Sequence, residues 1–138
     1  MGQNFKQQKS SCPKNTQHPM TMFLITAIHL AALGQIETGN IDIAIGNAGE
    51  ISRYQIMPEV WHNSTTYPIR YATDPTVSKD VAIIIWRGRV NDFCKAQGRQ
   101  PTLQELYLLW HRPSRVLNPK PFEAERAYRF ANLCMRKQ

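Results

Sequence analysis

From Met22 to Ile36 the chain is apolar at almost every position, interrupted by Thr26, His29 and Gln35. A helix apolar on all faces belongs inside a core, so the pattern predicts a buried helix over residues 21–37. Gly39 is its natural stop, and Glu37 stands at its end. Beyond it Ile41, Ile43 and Ile45 alternate with Asp42 and Ala44, and Gly46-Asn47-Ala48-Gly49 follows. Short alternation with Asn and Gly turn residues predicts an irregular β-hairpin over 40–53. A brief helix is expected over 54–62, with Trp61 buried, then a loop over 63–73. Asn63-Ser64-Thr65 fits a glycosylation acceptor, but such triplets are common and carry little weight.

The second half has clearer punctuation. Asp74-Pro75 places an N-cap and a first-turn proline at the head of a helix. Val77, Val81, Ile84 and Ile85 share one face by three- and four-residue spacing, and Gly98 stops the helix after Gln97. Thr102 and Glu105 form a capping box, opening a helix to about Trp110. Pro113 and Pro119 mark 112–120 as a loop. Pro121 opens a last helix, whose Ala127, Phe130, Ala131 and Cys134 form an apolar stripe. Trp61 and Trp86 are assigned to the core. The expected fold class is mainly α (α+β), helical with a small irregular β-hairpin.

A length of 138 residues suits one domain. Residues 21–138 are read as that domain. Residues 1–20 carry Lys6, Lys9 and Lys14 with no acid, and are read as a disordered basic leader. Seventeen basic against ten acidic residues give a net charge of +7, which suits nucleic acid, a membrane surface or an anionic cell-wall polymer. No zinc finger, aromatic ribonucleoprotein signature or basic zipper is present, so nucleic acid is not the expected partner. Arg112, Arg115, Lys120, Arg126 and Arg129 are read as a solvated helix face. Cys12, Cys94 and Cys134 lack metal-ligand or redox spacing. Cys94 and Cys134 fall in two expected helices, as a pair or as two buried thiols. Met20–Gly34 has the length of a signal-peptide core, but cleavage there would remove the helix carrying Glu37, so no convincing signal peptide is read.

Glu37 is the candidate for chemistry. A general acid must hold a proton when substrate arrives, and a free Glu has a pKa of about 4.3. Apolar surroundings disfavour the anion, and so does the partial negative charge of a helix C-terminus. The bland alternative is a solvated glutamate at a helix end.

Three stretches bear a family resemblance. Gln35-Ile36-Glu37-Thr38-Gly39 ends a buried helix on a glutamate. Gly49-Glu50-Ile51-Ser52-Arg53-Tyr54-Gln55-Ile56-Met57-Pro58 is similar to a Gly-Ala-x-Gly-Leu-Met-Gln-Val-x-Pro motif at Gly49, Gln55, Ile56 and Pro58, with Ser52 in place of glycine, Arg53 of leucine and Tyr54 of methionine. Leu108-Leu109-Trp110-His111-Arg112-Pro113 stands where an Ala-Tyr-Asn-Ala-Gly-Pro motif is expected, and keeps its proline. Together they resemble the lysozyme-like superfamily, especially soluble lytic transglycosylases and goose-type lysozymes, from about residue 22 to the C-terminus. The resemblance implies a lysozyme-like catalytic domain cleaving the β-1,4 bond between N-acetylmuramic acid and N-acetylglucosamine in peptidoglycan glycan strands. It implies no cofactor and no metal.

By that resemblance Glu37 is the catalytic acid/base, and a Tyr-bearing last helix, with Tyr128, closes over it. The candidate substrate-binding residues are Ser52, Tyr54, Gln55, Trp110, His111 and Tyr128. Core packing is the alternative for Trp110 and Tyr128, and a loop or core role for His111. Glu50 is the candidate second carboxylate, unless Arg53 holds it in a structural ion pair. A lytic transglycosylase is expected over a hydrolase, because one Glu can act first as acid, then as base. A monomer acting outside the cytoplasm or in a phage context is expected, with peripheral association with the cell envelope. The alternatives are a chitin-directed glycosidase, a non-catalytic lysozyme-like scaffold or a basic binding protein.

Overall fold

A computed structural model describes residues 23–136. The leader and Cys12 lie outside the described residues. The chain order is α1 (Ala27–Thr38), α2 (Pro58–Ser64), a 3-10 turn (Ile69–Thr73), α3 (Pro75–Gln97), α4 (Leu103–His111), a 3-10 turn (Pro113–Arg115) and α5 (Pro121–Arg136). The fold is mainly helical, as expected. No described helix is long and apolar enough to cross a membrane.

α1 begins at Ala27, later than the apolar run suggests. Thr26 is its N-cap: the Thr26 hydroxyl accepts from the His29 N–H at 3.4 Å, and the Thr26 N–H donates to His29 Nδ1 at 3.0 Å. The two polar interruptions of the run are therefore its start signal, a reciprocal cap satisfying two first-turn donors. Gly39 ends the helix as expected, in the left-handed region at φ 72°.

Residues 40–57 form a folded loop rather than a hairpin. Only isolated bridges, Ile45 to Ile51 and Ile51 to Ile56, appear in it. Positive φ at Asn40, Gly49, Ser52 and Gln55 interrupts the extended backbone too often for a ladder. An ion pair ties the loop together. Arg53 donates through Nε and Nη2 to Asp42 at 2.7 and 3.1 Å, and the Thr38 hydroxyl donates to the Arg53 carbonyl at 3.0 Å. Arg53 is thus the partner of Asp42, not of Glu50. Gly34 lets this loop close on α1, since a Cβ there would overlap Asn40 Oδ1 and come within 3.3 Å of Arg53 Cδ.

α2 starts at Pro58, after a turn over 52–55, the bridge at Ile56 and the N-cap Met57; Trp61 is fully buried within it. The stretch expected as loop over 63–73 contains the first 3-10 turn. α3 has its expected bounds, with Asp74 accepting from Thr76 N and Val77 N at 2.9 and 3.1 Å and Gly98 at φ 72°. Val81 and Ile85 are buried, but Ile84 is half-exposed, at the edge of the expected face. The Thr102–Glu105 capping box opens α4, and the α5 stripe is buried at Ala127, Phe130, Ala131 and Cys134. Cys94 and Cys134 are both buried and not bridged to one another.

Trp86, on α3, joins the helices. Its ring lies 5.6 Å from Trp110 on α4, 6.0 Å from Phe130 on α5 and 6.5 Å from His29 on α1. Its indole N–H donates to the Leu106 carbonyl at 2.8 Å. A second fixed point closes the α4–α5 connection. Glu123 is wholly buried, and accepts from Arg115 at 2.9 and 2.7 Å and from Lys120 N at 2.8 Å. Arg115 and the Lys120 N–H hold its carboxyl down at about 2.

Two outcomes follow. Trp86→Ala should cost about 3–5 kcal/mol in chemical denaturation, as for large buried aromatics. Glu123→Gln should lower the melting temperature at neutral pH. The folded-state pKa of Glu123 is depressed, so its contribution is complete above its ordinary value of 4.5 and fades as pH falls towards 2. The difference from the parent chain should shrink across that window in thermal melts. A difference independent of pH would show that the carboxylate charge is not what matters.

Candidate active site

Glu37 lies in the last turn of α1 with its side chain 10% exposed. Helix α4 brings Tyr107 to it, and the Tyr107 hydroxyl donates to Glu37 Oε2 at 2.9 Å. Helix α5 brings Arg126, whose Nε donates to the same hydroxyl at 2.9 Å. Arg126 Nη2 lies 3.5 Å from Glu37 Oε1 and 3.5 Å from the Ile36 carbonyl. Burial pushes the Glu37 carboxyl above its ordinary value. Arg126 and the Tyr107 hydroxyl pull it down, and Glu50 adds a smaller upward push. Burial prevails, so Glu37 holds its proton to higher pH than a free glutamate.

This carboxyl lines a cleft of about 360 Å³, with Glu50, Gln55, Trp110, His111 and Arg89. The cleft runs between the 40–57 loop and the C-terminal end of α4. Gly46 gives the loop side its room: a Cβ there would overlap both Gln55 Oε1 and Glu50 Oε1. Gln55 sits at φ 57°, its amide donating to the Ser52 carbonyl at 3.0 Å. Glu50 Oε1 accepts from Ala48 N at 2.9 Å.

On the helical side Trp110 is nearly buried, and its indole N–H donates to the Tyr54 carbonyl at 3.0 Å, pinning the loop to α4. Arg89 reaches from α3 to the Leu109 and Trp110 carbonyls at 3.2 and 2.7 Å, and lies 5.7 Å over the Trp110 ring. A cation at the last carbonyls of a helix is well placed. His111 stacks on Tyr107 at 5.6 Å and 13°. Its pKa is lowered, first by burial and then by Arg126, so the ring is neutral at pH 7. Its Nε2 is 3.8 Å from buried Glu123.

The cleft therefore gathers Glu37, Glu50, Gln55, Trp110 and His111, five of the residues singled out from sequence. It does not gather Ser52, Tyr54 or Tyr128. Ser52 is fully buried at φ 77°, its hydroxyl accepting from Tyr54 N at 3.0 Å. Tyr54 is core, and its backbone carbonyl rather than its ring serves the site. Tyr128 is exposed, one residue past the buried Ala127 and so turned off the packed face of α5. The tyrosine over Glu37 is Tyr107. Of the expected solvated basic face, Arg112, Lys120 and Arg129 are exposed, whereas Arg115 is paired with buried Glu123 and Arg126 turns in to Tyr107 and Glu37.

Tyr107 and Arg126 were missed by sequence reasoning. For Tyr107 a signal existed: a tyrosine between Leu106 and Leu108 on an apolar face is buried, and a buried phenol needs a polar partner. For Arg126 no local signal distinguished it from the other basic residues of α5. Among the described residues no group of three or more His, Cys, Asp or Glu side chains converges as metal ligands would. Comparison with protein-family models, curated proteins and solved structures finds no match.

The raised pKa of Glu37 carries a stability consequence. A raised folded-state pKa means that Glu37 favours folding at low pH, and that this contribution is lost as pH rises through the folded-state value. Glu37→Gln keeps the neutral form at every pH. It should match the parent in thermal melts at acidic pH and melt higher at pH 8. A variant less stable at pH 8 would mean that the ion pair with Arg126 outweighs the cost of burying the carboxylate.

Proposed function

We propose that this chain cleaves the β-1,4 bond between N-acetylmuramic acid and N-acetylglucosamine in peptidoglycan, as a lytic transglycosylase with a lysozyme-like fold. The observation that carries the reading is Glu37 itself: a mostly buried carboxyl of raised pKa, opening onto a cleft beside the Gln55 amide. Position 52 adds support. Its φ of 77° is a glycine-favouring conformation, and the motif that this segment resembles has glycine there.

In this reading Glu37 delivers its proton to the glycosidic oxygen. The bond from C1 to that oxygen breaks, and the electron pair goes to the oxygen. The C6 hydroxyl of the same muramic acid then attacks C1, and its proton passes to the Glu37 carboxylate. No water is consumed, and a 1,6-anhydro end forms. The Gln55 amide both donates and accepts, which suits gripping a sugar hydroxyl or acetamido group. Peptidoglycan as substrate puts the action outside the cytoplasm or at lysis, the export route being a separate matter.

A hydrolase is the second reading, favoured by Glu50 lining the same cleft and raising the Glu37 pKa. Two carboxylates flanking the bond are the usual arrangement of glycosidases. Against it, Glu50 Oε1 is engaged by Ala48 N in its own loop, which suits a role in loop shape.

The test is digestion of purified peptidoglycan, with products read by mass spectrometry. Anhydro-muramic ends are expected, and Glu37→Gln should slow their formation by about 100-fold or more, the usual weight of a general acid. Reducing ends would identify a hydrolase and make Glu50→Gln the next variant. No products from the folded chain would sink the reading, leaving chitin or a non-catalytic scaffold.

A further inference from the structure

Arginine only donates hydrogen bonds, whereas a tyrosine hydroxyl has one proton to give and lone pairs to receive. Arg126 Nε donates to the Tyr107 oxygen at 2.9 Å. The single Tyr107 proton must therefore point elsewhere, and Glu37 Oε2 lies 2.9 Å away to accept it. A proton on Oε2 directed at Tyr107 would meet the tyrosine's own proton on the same line. Oε1 faces the guanidinium edge at 3.5 Å, a longer and weaker donor contact than the 2.9 Å bond from Tyr107 to Oε2, so the carboxyl proton is better tolerated there.

We propose that Arg126 is a positioning residue: it fixes the direction of the Tyr107 hydroxyl and so assigns the acid proton of Glu37 to Oε1. The inference rests on Glu37 being the general acid, but its geometry does not depend on which glycan is cut. With Arg126 in place Tyr107 only donates to the carboxyl, which favours its ionised form. Without Arg126 the hydroxyl is free to turn and accept from the neutral acid as readily as it donates to the anion. The other groups facing this carboxyl keep their places in both cases. Glu50 lines the cleft from the loop, Arg89 from α3, and His111 and Arg112 from the end of α4. In the loop packed on α1, Arg53 is paired with Asp42.

The test is a carbon-13 NMR titration of the Glu37 carboxyl in the full chain without substrate, with Glu37→Gln identifying the signal. Four chains are compared: parent, Tyr107→Phe, Arg126→Met and the double variant, each checked for an unchanged amide fingerprint. Tyr107→Phe should raise the Glu37 midpoint in the parent and leave it nearly unmoved in the Arg126→Met background. Arg126→Lys keeps the charge on a different donor geometry, and should also abolish the effect of Tyr107→Phe. If Tyr107→Phe raises the midpoint equally with and without Arg126, the guanidinium acts only as a nearby charge and the proposal fails. The same holds if Arg126→Lys preserves the effect in full. Glycan digestion separates this from the functional reading. Coupled titration without cleavage keeps the fixed direction of the Tyr107 hydroxyl and rejects the enzyme. Cleavage without coupling does the reverse.

Discussion

The structure depends on one buried indole. Trp86 touches aromatic rings from α1, α4 and α5, and its N–H is tied to the Leu106 carbonyl. Leu106 immediately precedes Tyr107, and Trp110 lies one turn further along α4. Fixing that carbonyl therefore fixes the height and rotation of α4, and with them the reach of Tyr107 to Glu37 and of Trp110 to the Tyr54 carbonyl. Through Trp110 the loop carrying Glu50 and Gln55 is placed as well. The indole bond is also satisfied chemistry, since an unpartnered buried N–H would cost about 1–3 kcal/mol. One residue thus couples core packing to the geometry of the cleft.

Around Glu37 opposing effects of similar kind are balanced. Burial disfavours the carboxylate, while one full charge and one hydroxyl favour it. Arg126 remains about one-third exposed, so solvent screens its charge, whereas Glu37 is enclosed. A screened cation cannot fully offset a desolvated anion, so the net shift is upward. Glu123 shows the opposite balance a short distance away. It receives a bidentate guanidinium and a backbone N–H, and its carboxyl falls to about 2. Two buried glutamates, each beside an arginine, are thus driven in opposite directions by the number and directness of the donors they receive. His111 packs between them, on Tyr107 and within 3.8 Å of Glu123.

The helices were legible where their ends carry chemistry. Asp74-Pro75, Gly98, the Thr102–Glu105 box and Pro121 each bound an element that the structure repeats to within a residue. The start of α1 is not legible from hydropathy, because Thr26 and His29 interrupt an apolar run and their cap is visible only when the two are read as a pair three residues apart. The expected hairpin is absent, since alternation of Ile41, Ile43 and Ile45 is shared by a strand and by a turn-rich loop that leaves all three exposed. In the site, Glu37 and Gln55 were legible because local sequence places them. Tyr107 and Arg126 reach Glu37 from 70 and 89 residues away along the chain, and no local spacing encodes such a meeting. Tyr128 follows from position in a motif order, which does not see helix rotation.

Ser52 shows why the 40–57 loop belongs with the site rather than with the scaffold. A serine at φ 77° costs about 1–2 kcal/mol relative to an unstrained conformation. Part of this is offset locally, because its buried hydroxyl accepts from Tyr54 N, a bond that glycine could not form. The same turn puts the Ser52 carbonyl where the Gln55 amide can donate to it, and Gln55 is itself at positive φ. Two strained residues three apart thus hold one amide side chain on the cleft wall, facing the space that Gly46 leaves empty. A loop whose only task was to join α1 to α2 would have no use for that expense. Strain held by specific hydrogen bonds beside a carboxyl of raised pKa is common at functional sites, and it supports the proposed reading of the cleft.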